Sequence, residues 1–157
     1  MLSGATNIIA FDIDGAISKN SASDGAMRDW FIEHSNKDDF KGSNHEALSG
    51  ADIFIGVSAP NVLKEADIAS MAAGSIVFAL ANPDPEIDPV IARKYAAVVA
   101  TGRSDHPNQI NNVLAFPGIF RGLLDANAHK ITDKLLVAAA EAIADCVSPS
   151  CLLYTSD

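Results

Sequence analysis

Short runs of Val, Ile and Phe alternate along this chain with segments of helical period, and that alternation limits the fold more than any other feature. The runs Asn7–Phe11, Asp52–Val57, Ile76–Ala81 and Ala97–Ala100 are almost wholly apolar, as strands buried on both faces of a parallel sheet are. Between them, Val62–Ala73 carries Leu63, Ala66, Ile68, Ala69 and Ala72 with charge on the other side, and Pro89–Ala96 is a shorter version. Strand alternating with helix predicts a parallel α/β sheet with right-handed crossovers, in which ligands sit outside the carboxyl ends of the strands.

The remaining segments are read around that frame. Ser18–Gly50 starts polar at Ser21-Ala22-Ser23-Asp24-Gly25 and then offers one apolar patch, Met27, Trp30, Phe31 and Ile32, so it reads as loop, short helix, loop. Arg103–Gln109 is a loop, and Ile110–Leu124 is apolar enough for a buried helix, kinked at Pro117. Thr132 is placed to cap a last helix, Lys134–Val147, with Leu135, Leu136, Ala139, Ile143 and Val147 at helical spacing.

Composition narrows the partners. The 157 residues are 48% apolar, enough for one domain with a real core. Eleven Lys and Arg against twenty Asp and Glu give a net charge of −9, the wrong sign for phosphate backbones or anionic lipid, so nucleic acid and membrane are not expected partners. No apolar run approaches the ~20 residues that cross a bilayer. Met1-Leu2-Ser3-Gly4 lacks the basic flank and apolar stretch of a signal peptide, and the expected setting is cytoplasmic. Cys146 and Cys151 have no His beside them and suggest neither a disulfide framework nor a zinc site.

Chemistry is sought at the strand ends. The first run ends in Phe11-Asp12-Ile13-Asp14-Gly15. Asp12 suits the acidic residue that accepts hydrogen bonds from an adenosine ribose at the tip of a dinucleotide fold's second strand. The same residues resemble the Asp-x-Asp-Gly-Thr of haloacid-dehalogenase phosphatases, with Asp12 as nucleophile and Asp14 beside it, although Ala16 stands where that motif has Thr. A plain Asx turn closed by Gly15 accounts for the pattern equally simply. The ten glycines contain no Gly-x-Gly pair, so the phosphate-binding loop of a dinucleotide fold is missing, as if the first run here were that fold's second strand. Gly56-Val57-Ser58 could bring bare backbone close to a cofactor, or simply turn the chain. Asn82, in Leu80-Ala81-Asn82-Pro83-Asp84-Pro85-Glu86, puts an amide at the carboxyl edge in a turn stiffened by two prolines. Asn111 and Asn112 fall in an otherwise apolar predicted helix and call for a cap or a ligand.

Three stretches together resemble the NAD-binding domain of bacterial malic enzymes, the oxaloacetate-decarboxylating malate dehydrogenases. They are Gly50–Ser58, Phe78–Glu86, and above all Val99–Gly122, which contains Thr101-Gly102-Arg103-Ser104-Asp105 and Pro107-Asn108-Gln109-Ile110-Asn111-Asn112-Val113-Leu114-Ala115-Phe116-Pro117-Gly118. The resemblance spans about Gly4 to Val147. It implies an α/β, Rossmann-like NAD(P)-binding domain, partial, over residues 4–147, with the first βα unit and its glycine loop missing. It also implies oxidative decarboxylation of (S)-malate to pyruvate and carbon dioxide, with NAD or NADP as oxidant and Mg2+ or Mn2+ as Lewis acid.

For individual residues, the resemblance implies that Asn82 and Asn112 contact malate or the nicotinamide ribose. Asp12, Gly56, Val57, Ser58, Asn82 and Asn111 are then expected to border the cofactor. The catalytic base and acid and the metal carboxylates are expected upstream of this chain, so no catalytic or metal-binding residue is assigned within it. The chain is read as a fragment of a homo-oligomeric parent enzyme and is expected to be inactive alone. Residues 148–157, ending Cys151-Leu152-Leu153-Tyr154-Thr155-Ser156-Asp157, are read as a non-native or disordered tail. The alternatives are a phosphatase built on Asp12 and Asp14, and a non-catalytic nucleotide-binding module.

Overall fold

The structure is a computed structural model describing residues 4–147. The residues expected to form a foreign tail, 148–157, lie outside those described. The chain divides into two compact units, Ala5–Ile110 and a second of which residues 111–147 are described, apart from Gly4.

The first unit opens on a hairpin, β1 (Phe11–Asp12) with β2 (Gly15–Ala16), followed by α1 (Ala26–His34) and α2 (Asn44–Ala47). Then strand and helix alternate: β3 (Ile53–Gly56), α3 (Glu65–Ala69), β4 (Ile76–Ala79), α4 (Pro89–Ala92) and β5 (Val98–Thr101). These three strands form a parallel sheet in the order β3-β4-β5, with Ile55 opposite Phe78 and Phe78 opposite Ala100. The expected parallel α/β architecture is therefore present, Rossmann-like, with helices flanking the sheet.

Period-2 alternation assigns the faces. Val77 and Ala79 of β4 and Val99 of β5 point inward and join Leu63, Ile68, Met71, Ile87, Ala92 and Ala96 in the core, with Phe54 of β3 packed against it. Short α3 and α4 suffice because their inward residues are fully buried: Ile68 is 1% exposed and Ala92 0%. Asp88 caps α4 by accepting from the Val90 N–H at 2.8 Å, and Pro89 takes the first turn, where no amide donor is lost. On the other face Ile53 and Ile55 are 53% and 64% exposed.

Four expectations are corrected. Asn7–Phe11 does not join the parallel sheet. Its carbonyls are taken elsewhere, that of Ala10 by the Ile17 N–H (2.8 Å) and that of Ile8 by the Asn36 N–H (2.6 Å), which leaves only Phe11 and Asp12 paired, and those antiparallel. The helix expected over Val62–Ala73 is confined to α3, begun at Glu65 after an extended Lys64 (ψ 160°) and closed by a turn at Ser70.

The other two corrections lie in the second unit. Ile110–Leu124 is not one buried, kinked helix. Asn112–Leu114 is a 3-10 turn, and α5 runs over Phe116–Asp125 with no buried residue. Pro117 falls in the first turn of α5, where its missing N–H has no intrahelical acceptor to lose, so it starts the helix instead of bending it. Asn111 is likewise outside any α-helix. The last helix, α6 (Asp133–Asp145), begins as expected, with Thr132 Oγ1 accepting from the Leu135 N–H at 3.3 Å.

Candidate functional site

The carboxyl ends of β3, β4 and β5 release three loops on one edge of the sheet, and side chains tie neighbouring loops together. Glu86 makes the first tie. It follows β4 by one turn and is fully buried. Its Oε1 accepts from the Ser58 N–H at 2.8 Å and lies 3.3 Å from the Ser58 hydroxyl, and its Oε2 accepts from the Ala81 N–H at 3.1 Å. One carboxylate thus satisfies donors in the turn after β3 and the turn after β4.

That contact explains a glycine. A Cβ on Gly56 would lie 2.4 Å from Cδ of Glu86 and 2.8 Å from the Phe54 ring, so only a bare backbone lets the carboxylate reach across. Gly56 is therefore required by close packing within the fold, whatever else approaches it.

Arg103 makes the second tie. Two of its nitrogens donate to the two oxygens of Asp105 at 2.8 and 2.6 Å, and a third reaches Asp84 at 3.2 Å. The fork to Asp105 fixes Arg103 within the loop after β5, and the contact with Asp84 joins that loop to the proline turn after β4. The Arg103 guanidinium holds the Asp105 carboxyl down at about 2, from an ordinary 3.8. The loop after β5 closes on itself through the Ile110 N–H and the Thr101 carbonyl, 2.7 Å apart, while buried Thr101 accepts from the Arg103 N–H at 3.0 Å.

Between these ties the expected ligand-facing residues stand in the open. Val57 and Ser58 are exposed, and so is Asn82, whose side-chain amide has no hydrogen-bond partner among the described residues. Small, exposed and amide-bearing residues at this edge are compatible with a nucleotide and a small polyfunctional acid.

Asp12 sits at the hairpin, away from the parallel sheet. Its Oδ1 accepts from the Asp14 N–H at 2.9 Å, an Asx turn completed by Gly15 at φ +116°. Its Oδ2 pairs with Arg28 of α1, whose Nε also donates to the Ala22 carbonyl at 2.8 Å. A cleft of about 360 Å3 lies beside it, lined by Phe11, Asp12, Ile13, Asp14, Gly15, Ser43 and Asn44. Asp12 is therefore half-buried and already committed to a turn and a cation. Among the described residues no three carboxylate, imidazole or thiol groups come together to seat a metal ion.

Asn111 and Asn112 belong to the second unit. The Asn111 side chain accepts from the Val113 N–H at 3.0 Å, so it is the cap of the 3-10 turn that Asn112 begins. Of the functions open to it, capping is the one realised within the chain.

Sequence reasoning named Asn82 and the Gly56–Ser58 turn but gave no role to Glu86 or Arg103. A single Glu after two prolines reads as solvated surface. The available signal was its position between Pro85 and Ile87, both buried.

Comparison with known proteins places these features. The family described as "Malic enzyme, NAD binding domain" matches residues 3–154. The chain is 51% identical over 148 residues to the NAD-dependent malic enzyme of Geobacillus stearothermophilus, covering 94% of this chain and 31% of that protein. It is 50% identical over 141 residues to an NADP-dependent malic enzyme of Rhizobium meliloti, covering 88% and 18%. Among solved structures, the NAD-dependent malic enzyme of Thermotoga maritima superposes with a TM-score of 0.85 at 43% identity, over 94% of this chain and 40% of that one. The chain thus spans about a third or less of the curated relatives named here.

Proposed function

Because the chain belongs to the malic enzyme NAD-binding domain family, we propose that it is the NAD(P)- and malate-contacting portion of an enzyme that oxidatively decarboxylates (S)-malate to pyruvate. The observation that carries the reading is the 51% identity to an NAD-dependent malic enzyme, joined to an exposed Asn82 at the carboxyl edge of the sheet whose side chain has no partner among the described residues. The phosphatase reading of Asp12 and Asp14 is set aside, since family membership accounts for the chain.

In this reading, a bound nicotinamide supplies the hydride acceptor. Asn82 donates its amide N–H groups to a carboxylate or hydroxyl oxygen of malate, or to the nicotinamide ribose, and so orients the C2–H bond for transfer. The family resemblance gives Asn112 a substrate contact of its own, and Asn111, by capping, fixes the backbone from which Asn112 projects. Gly56, Val57 and Ser58 offer a low wall for the cofactor, and Asp12 offers acceptors to the adenosine ribose. Domain boundaries of 4–147 follow from the same reading, with a cytoplasmic, homo-oligomeric enzyme as the setting that the resemblance implies. The Geobacillus and Rhizobium relatives carry NAD and NADP in their respective names, and both nicotinamides stay within the proposal.

The described residues supply no seat for the Mg2+ or Mn2+ that the family resemblance implies, and no proton-transfer group is assigned among them. The 157-residue chain alone is therefore expected to show no malate-dependent NAD(P)H formation with Mg2+ or Mn2+ present. Losing one member of a catalytic set removes orders of magnitude of rate. Turnover above background would mean that a residue given a supporting role here is itself catalytic.

A further inference from the structure

Glu86 is the one fully buried carboxylate among the described residues, and it lies among donors only. Two backbone N–H groups and one hydroxyl converge on its two oxygens, from the turn after β3 and from the turn after β4. No Lys, Arg or His among the described residues forms an ion pair with it. A buried acid among N–H donors is costly unless each donor finds it and it finds each donor, and the hydrogen bonds at 2.8 and 3.1 Å meet that condition. The neighbouring backbone fixes it further. The Leu63 N–H bonds the Glu86 carbonyl at 3.0 Å and the Asn61 N–H bonds that of Pro85 at 3.0 Å.

The two donors are informative for where they stand. Ser58 ends the turn proposed as the cofactor wall, and Ala81 immediately precedes Asn82. Neither amide is in the sheet, whose β3–β4 pairing stops at Gly56 and Ala79. We propose that Glu86 is a positioning residue, a single carboxylate that sets the cofactor wall at Gly56–Ser58 and the substrate amide of Asn82 at a fixed separation. The role rests on the function proposed above and assigns it a residue that touches neither ligand. The acceptor must be a carboxylate, because an amide in its place would turn NH2 toward one of the N–H groups. Gly56 is part of the same device, since any side chain there would push the carboxylate out.

The test uses the 15N-labelled 157-residue chain with NAD+ as the probe. In the wild type the Ser58 and Ala81 amides should resist deuterium exchange despite lying outside the sheet, and both turns should shift as NAD+ is added. Glu86→Gln should leave the Val77 and Val99 amides at their wild-type shifts. It should speed exchange at Ser58 or Ala81 and weaken NAD+ binding about tenfold, the loss of one charge-assisted hydrogen bond. Glu86→Asp, one methylene too short to reach both turns, should open at least one of the two amides to fast exchange.

Unchanged NAD+ affinity in a folded Glu86→Gln variant overturns the proposal, and so does rapid exchange of Ser58 or Ala81 in the wild type. If Glu86→Gln does not fold, wild-type exchange and Glu86→Asp decide. Protected amides with no NAD+-induced shift in either turn would overturn the cofactor reading and the positioning role with it. NAD+-induced shifts in the wild type, with both amides still protected and the affinity unchanged in Glu86→Asp, would overturn the positioning role alone.

Discussion

Asp105 shows how far one contact can move a side chain. Its carboxyl is held at about 2 by the Arg103 guanidinium, below an ordinary 3.8. A folded-state value below the unfolded one means that the ion pair's contribution is present above about pH 4 and is lost as pH falls through about 2. At neutral pH the Arg103–Asp105 fork within the loop after β5 is thus fully formed and insensitive to small pH changes. A carboxyl-detected NMR titration should place the Asp105 midpoint near 2, and Arg103→Gln should return it toward 3.8. A wild-type midpoint at the ordinary value would remove the Arg103–Asp105 pair that orients the guanidinium toward Asp84. Asp12 teaches a different lesson. Asx turn, ribose acceptor and phosphatase nucleophile were all open from the motif, because each uses a short acid before a glycine. The turn was legible in Asp12-Ile13-Asp14-Gly15; the Arg28 pairing was not, since it joins positions sixteen residues apart.

At the scale of elements, strands β3, β4 and β5 were legible to within a residue or two because short runs of β-branched and aromatic residues carry their own signal, even though one face of the sheet is exposed. The helices between them were legible in place but not in length. Ile68 is 1% exposed, while Ala66 and Ala69 in the same helical period are exposed, so periodicity overstated how much of Val62–Ala73 the core demands. Ile68→Ala should therefore cost about 3 kcal/mol in urea unfolding of the chain. Leu124→Ala, at a site 78% exposed in α5, should cost under about 0.5 kcal/mol. The reverse order would place the core in the wrong layer. Pro117 was misread for a related reason: a proline breaks a helix interior but suits a first turn, and the apolar pattern around it did not say where the helix began.

For the whole molecule, the consequential feature is the outward face of the parallel sheet. Parallel sheets are ordinarily covered on both faces, yet Ile53, Ile55 and Val98 are 53%, 64% and 40% exposed. Apolar surface of this kind favours self-association. Sedimentation of the 157-residue chain should show mass rising with concentration, and Ile55→Lys should reduce that rise; a strictly monomeric wild type would mean the face is tolerated in water. Family and fold were legible in the long Val99–Gly122 stretch and the two strand-end motifs, which carry specific residues at specific spacings. The Glu86 clasp was not, because its partners are 28 and 5 residues away and nothing local marks a buried acid.

The central claim is that this chain supplies the malate- and NAD(P)-contacting part of a malic enzyme, with Asn82 at the substrate. Its most direct test replaces the matching segment of the Geobacillus stearothermophilus NAD-dependent malic enzyme, 51% identical, with residues 4–147 and follows malate-dependent NADH formation with Mg2+ or Mn2+. The grafted enzyme should turn over, and Asn82→Ala within the graft should lower kcat/KM about 100-fold, the equivalent of about 2.7 kcal/mol of transition-state contact. A folded graft with no turnover, or one whose kcat/KM is indifferent to Asn82→Ala, would contradict the account.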